Sequence, residues 1–165
     1  MTNKNSILVL NGVSSSGKST LAKALQHVLT PTFLHVSLDG FGEMFPEEVY
    51  DREDGFKAVL SAMVIGVKGL ATLGYNIIID CVLEEEDSLS LVLKSLAEFS
   101  VSTVGVYCSP TVLEEREILR GDREIGLAVR QLQYVHFTHQ YDYEIDTSHK
   151  DPSNLACEIV SALGL

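Results

Sequence analysis

The chain has 165 residues, a length that predicts one domain whose core needs no disulfide staple or structural metal. Hydrophobic residues make up 45% of it and charged residues 21%, an ordinary globular composition. Asp and Glu total 23 against 12 Lys and Arg, for a formal charge of -11. That balance argues against nucleic acid as a partner and requires any phosphate site to gather basic residues locally.

Met1–Asn5 is polar and nothing approaches the roughly 20 apolar residues of a membrane span, so neither a signal segment nor a membrane partner is expected. Ile7–Leu10 reads as a short strand buried on both faces. After a glycine-rich stretch, Leu21, Leu25, Val28 and Leu29 recur at helical spacing up to Pro31. Phe33–Leu38 predicts a second strand, and Phe41–Asp54, rich in acids, an exposed loop or short helix. From about Arg52 to Gly74 one face is apolar (Phe56, Val59, Leu60, Met63, Val64, Val67), which predicts a helix.

Asn76–Asp80 reads as a central strand, Glu85–Phe99 as a weakly marked helix and Val101–Tyr107 as a further strand. Ser109-Pro110 predicts a helix start with serine as cap. Gly121 interrupts that helix, and Ile125, Ala128, Val129, Leu132 and Val135 restore the spacing. Asp142–Asp146 reads as the last strand, and Leu155, Ile159 and Leu163 mark a terminal helix. The alternation predicts an α/β three-layer sandwich with a five-stranded parallel sheet, with ligands at the carboxyl ends of its strands. Cys81, Cys108 and Cys157 form no CxxC pair and are expected as reduced thiols in a cytoplasmic protein. No spacing suggests zinc.

Gly12, Val13, Ser14, Ser15, Ser16, Gly17, Lys18 and Ser19 complete a GxxxxGK[ST] motif between a strand and a helix, with Thr20 following. The glycines let the backbone wrap so that successive amides face phosphate oxygens, and the helix start presents its positive dipole end to the same anion. Lys18 is expected to reach the outer phosphates, and Ser19 to ligate Mg²⁺. Asp80, closing an isoleucine strand, is the candidate acid on the metal side. Cys81 beside it reads as a buried small residue. Asp39, just after the second strand, is the candidate base for an attacking hydroxyl, the alternative being an Asx-turn with Gly40. Arg116, Arg120, Arg123 and Arg130 fall within 15 residues around Gly121. Arg120 and Arg123 suit a mobile lid near residues 116–126. The alternative is surface ion pairing, such as Glu117 with Arg120 or Arg123.

With these residues in place the sequence resembles the chloramphenicol phosphotransferase family. The likeness is carried by Leu10-Asn11-Gly12 through Ser19, by Ile77–Asp80, and by a third group. That group is Arg120-Gly121-Asp122-Arg123, Gly126-Leu127-Ala128, Gln131, Val135-His136, and Tyr141-Asp142 through Asp146–His149. The resemblance implies a P-loop fold of the shikimate and adenylate kinase type that uses ATP and Mg²⁺. It implies Asp39 as base, Lys18 and Ser19 on phosphate and metal, Asp80 as metal-side acid, and Arg120 and Arg123 on the lid. The Thr147–Asp151 loop would contact the nucleotide.

Two features depart from the family pattern. Cys81 stands where a second acid is expected, and the segment between Asp39 and Arg52 is contracted. The acceptor-binding segment, near residues 39–56, carries Phe41, Phe45, Tyr50 and Phe56. The acceptor is expected to be a small-molecule alcohol, chloramphenicol or a related aromatic alcohol, with a sugar, nucleoside or other metabolite as the alternative. A non-catalytic ATP-binding sensor, using the acidic stretch Glu84–Asp87 as its contact, is the remaining reading.

Overall fold

Alternate residues of the inner strands point to opposite helical layers, and this alternation organises the molecule. The structure is a computed structural model, and it describes residues 5–85, 87–121, 124–137 and 139–165. Ile7 and Val9 of β1 (Ser6–Asn11) and Ile77 and Ile79 of β3 (Asn76–Cys81) join one buried cluster. Leu8, Leu10 and Ile78, between them, join the other. Strands apolar on both faces can pack only between two layers, which is why the isoleucine run forms an interior strand.

The first cluster is covered by α4 (Gly55–Thr72) and α5 (Ser88–Ser95), the second by α1 (Lys18–Val28) and α8 (Pro152–Leu163). α4 alone among the described helices is long and apolar enough, on length and composition, to cross a membrane. Here its Val59, Met63 and Val67 are buried against the sheet.

With β2 (Phe33–Ser37), β4 (Ser100–Tyr107) and β5 (Tyr143–Asp146), the sheet runs β2-β3-β1-β4-β5 and every pairing is parallel. From β1 the chain crosses to the edge strand β2, returns to β3 between them, and then crosses to β4 and β5 on the other side of β1. Such a reversal opens a crevice at the carboxyl ends of the central strands. Two short helices, α2 (Leu38–Gly42) and α3 (Glu47–Tyr50), stand on one side of the crevice. On the other stand α6 (Pro110–Arg120) and α7 (Leu127–Gln131), which share a small cluster with Val13 below them.

The structure corrects several sequence-based boundaries. The second strand stops at Ser37, because the Ser37 hydroxyl accepts from Gly40 N–H at 3.0 Å and starts α2 at Leu38. The helix expected over Glu85–Phe99 forms only over Ser88–Ser95. The spacing from Ile125 to Val135 yields a five-residue helix and turns, with Ile125 exposed. Ser109 precedes α6 as expected but makes no side-chain cap. Its backbone N–H is instead engaged by Ser148 Oγ at 2.9 Å.

Candidate active site

The turn after β1 is folded tightly because two glycines permit it. A Cβ on Gly12 would stand 2.4 Å from the Val106 carbonyl oxygen. Gly17 caps α1 at φ 91°, a left-handed value that glycine adopts without penalty. Ser15, between them, holds φ 57° with a side chain present. Lys18 opens α1 and is buried; its Nζ donates to the Val13 carbonyl at 2.8 Å. Burial lowers the Lys18 pKa, and the negative charge of Asp80 opposes that shift.

Ser19 Oγ donates to Asp80 Oδ2 at 2.6 Å, and His35 Nε2 lies 3.3 Å from the same oxygen. Burial alone would raise the Asp80 pKa. The His35 contact, the Lys18 charge and the Ser19 hydrogen bond outweigh it, so the carboxyl sits below its ordinary value. Register places these groups together: Ser37 of β2 pairs with Asp80 of β3, and Leu10 of β1 pairs with Asp80 from the other side. A hydroxyl beside a carboxylate is a hard-oxygen donor pair suited to Mg²⁺, which keeps several of its own waters. No group of three or more His, Cys, Asp or Glu among the described residues suggests another metal site. Cys81 is buried and its pKa is pushed up by burial, so it is an inert thiol.

One cleft of about 970 Å³ collects most of the expected residues. Ser14, Ser15, Gly17, Lys18, Ser19 and Thr20 line it together with Asp39, Asp80 and Arg120. Gly12, Val13 and Ser16 stand behind this wall and support it, all fully buried. Asp39 lies in the first turn of α2, exposed, and the Gly40 amide is occupied by Ser37, not by Asp39. Arg120 is the last residue of α6. The lid assignment of Arg123 falls outside the described residues. Of the aromatic residues expected near the acceptor, Tyr50 and Phe56 line the cleft, whereas Phe41 and Phe45 pack against the core.

Two arrangements depart from the ion pairing considered for the arginine segment. Arg116 turns inward, and its guanidinium donates to Ser15 O at 3.2 Å and to Thr147 O at 2.7 Å. Thr147 Oγ1 in turn donates to Ser16 O at 2.6 Å, so the loop after β5 is fastened to the phosphate turn. Glu117 is engaged by backbone amides. Its side chain is fully buried and accepts from Gly126 N–H at 2.7 Å and Ala128 N–H at 2.8 Å. Arg130 does form a surface ion pair, with Glu124 at 2.8 Å.

Further groups escaped the sequence reading. Gln131 was noted there without a role; it accepts from Ser14 N–H at 2.7 Å and donates to Glu84 at 2.5 Å. Glu117 carried a signal, since it lies one turn beyond Leu113 on the buried face of α6. His35 carried none. His136 behaves as the core histidine its flanking residues suggest, stacked on Tyr107 with ring centroids 4.1 Å apart.

Comparison with known proteins gives a consistent set of likenesses. Two Mycobacterium tuberculosis proteins, each carrying the provisional name of O-phosphotransferase, are 26% identical over 179 residues, covering 93% of this chain and 80% of each relative. The APS kinase of Mycobacterium tuberculosis, solved with AMPPNP and APS, superposes with a TM-score of 0.77 at 16% identity, over 99% of both chains. A sugar kinase from a Janibacter species gives 0.74 at 18% identity, over 98% of this chain and 95% of that one. At such identities these structures establish the fold, that of the P-loop kinases. The family model described as chloramphenicol phosphotransferase-like protein matches residues 5–164.

Proposed function

The chain belongs to the chloramphenicol phosphotransferase-like family of P-loop small-molecule kinases, and we propose that it transfers the γ-phosphoryl group of ATP to a hydroxyl of a small metabolite, a sugar or nucleoside. The observation that carries this reading is the presence of Asp39 in the same cleft as Lys18, Ser19 and Asp80. A nucleotide-binding turn needs no carboxylate opposite it merely to hold ATP, whereas a kinase needs one to orient and deprotonate an acceptor.

The roles follow from position. Backbone amides of the turn and Lys18 receive the phosphates, and Ser19 and Asp80 would hold Mg²⁺. The ion, when bound, neutralises charge on the phosphate oxygens. Asp39 accepts the acceptor's proton as the new O–P bond forms and the bond from the γ-phosphorus to the bridging oxygen of ADP breaks. Arg120 and Arg123 would serve a lid near residues 116–126, whose closure would exclude water that otherwise takes the phosphoryl group.

The acceptor is read from the segment after Asp39. That segment is contracted, and the cleft there mixes Asp39 and Glu84 with Tyr50, Phe56 and Val59. A polyhydroxylated acceptor fits such a mixed wall. That solved structures of like fold include an APS kinase and a sugar kinase supports this reading. A second reading, chloramphenicol itself, is favoured by Tyr50 and Phe56 and by the family's description. A screen with labelled ATP against a sugar and nucleoside library plus chloramphenicol decides between them. Transfer to a library member at a kcat/KM well above that for chloramphenicol is expected. High kcat/KM on chloramphenicol alone would overturn the metabolite reading, and no transfer to any alcohol would overturn the kinase reading.

A further inference from the structure

Gln131 lies at the end of α7, in the cleft wall, at 4% exposure, and the chemistry above does not use it. Both ends of its amide are engaged. Oε1 accepts from Ser14 N–H at 2.7 Å and Nε2 donates to Glu84 Oε1 at 2.5 Å. The partners fix which end is which, since a backbone N–H must meet an oxygen and a carboxylate only accepts.

Ser14 precedes the one described non-glycine residue with positive φ, Ser15 at 57°. That conformation is disfavoured for any residue with a Cβ and persists only where neighbours impose it. Two neighbours do so. Gln131 takes the amide of Ser14, and Arg116 takes the carbonyl of Ser15 at 3.2 Å. The helices on either side of the lid segment thus each place one side chain on adjacent residues of the turn. Glu84, at the other end of the amide, follows β3 and lines the same cleft as Asp39.

We propose that Gln131 is a positioning residue for phosphoryl transfer: it holds the turn in its phosphate-receiving shape and ties that shape to Glu84 on the acceptor side. The proposal rests on the ATP-binding reading of the cleft given above. Gln131 acts through Ser14 N–H and touches neither phosphate nor acceptor.

The direction of the hydrogen bonds supplies a test that simple loss of packing cannot mimic. Gln131→Met keeps the length of the side chain and loses both contacts, leaving the Ser14 amide without its acceptor. AMP-PNP with Mg²⁺, measured by calorimetry, is expected to bind about tenfold more weakly, or about 1.4 kcal/mol. Gln131→Glu keeps an acceptor for Ser14 but opposes the carboxylate of Glu84, and is expected to bind comparably weakly. Adding Glu84→Gln to it restores a complete chain, because the amide now donates from position 84 to a carboxylate that still accepts from Ser14. This double variant is expected to return to within about threefold of the parent.

Lys18→Met is measured alongside. If it binds the analogue as the parent does, the ATP-site reading fails, and the tether with it. If Lys18→Met abolishes binding while Gln131→Met binds normally, or while the double variant shows no recovery over Gln131→Glu, the tether is overturned and the site reading stands. Should Gln131→Met not fold, the comparison of Gln131→Glu with the double variant decides the matter alone.

Discussion

Asp39 and Lys18 stand in one cleft, and substitution would separate the duties proposed for them. Asp39→Asn keeps the shape of the side chain and removes its basicity. Turnover is expected to fall by about 10² to 10⁴, the range for a general base, with affinity for an ATP analogue within about twofold of the parent. Single-turnover rates beside calorimetric affinities check this, and unchanged turnover would remove Asp39 from the mechanism. His136 supplies a pH prediction. Burial, with the nearby His139 and Lys18 charges, lowers its pKa from 6.5 to about 4. The folded state therefore resists a proton that the unfolded chain accepts. Stability should be intact above pH 6.5 and decline as pH falls from there toward 4. Urea unfolding at pH 7.5 and pH 5 should show a loss that His136→Phe diminishes. At this scale the sequence was informative wherever a role depends on local spacing. Gly12 to Ser19 is one continuous turn, and Asp80 closes a strand whose apolar run is plain. Gln131 and Glu117 were opaque as functional groups, because their partners lie at Ser14 and Glu84 in one case and across the lid segment in the other.

Among the elements, the phosphate turn and helices α6 and α7 are joined by contacts that admit little change. Gly12→Ala would place a methyl group 2.4 Å from the Val106 carbonyl, a backbone atom that cannot swing aside. A loss of about 1–3 kcal/mol in denaturant unfolding is expected, the range for overpacking, together with weaker nucleotide binding. Glu117→Ala would leave the amides of Gly126 and Ala128 without their acceptor, with Ala128 itself buried. Hydrogen bonds to a charged group contribute about 1.5–3 kcal/mol, so a destabilisation of about 2 kcal/mol should appear in the same measurement. Strands were legible because an apolar run bounded by turn residues has few other uses. Helix ends were less so. Ser37, which the sequence reading places inside the second strand, caps α2, and Ser148 takes the Ser109 amide. Both outcomes depend on which side chain tertiary packing brings near, and periodicity carries no record of that.

Taken whole, a chain of net charge -11 presents Lys18, Arg116, Arg120 and Lys150 to one cleft. Asp39, Asp80, Glu84 and Asp151 line the same cleft, so the basic residues offset the acidic average there, which is what a phosphate site in such a chain requires. An ATP analogue with Mg²⁺ at about 100 times its dissociation constant should stabilise the fold by about 2.7 kcal/mol. For a domain of this size that is a rise of about 5–10 °C in melting midpoint, and chelation of Mg²⁺ should remove most of it. The alternation of strands and helices made the layer architecture readable in advance. The strand order did not follow from the same signal, since hydrophobic pattern says which faces are buried but not which strand lies beside which.

Asn11 closes β1 inside the core, giving one hydrogen bond to Tyr141 Oη at 2.8 Å and accepting another from Leu83 N–H at 2.9 Å. A single side chain therefore pins the root of the nucleotide turn, the exit of β3 and the approach to β5 to a common point. The sheet edge beneath the reactants behaves as a fixed bench. Under the kinase reading proposed above, any travel in a catalytic cycle would fall to the short helices after β2 on one bank and to the arginine-bearing segment on the other. Swapping that asparagine for leucine would unfasten the bench rather than the moving parts.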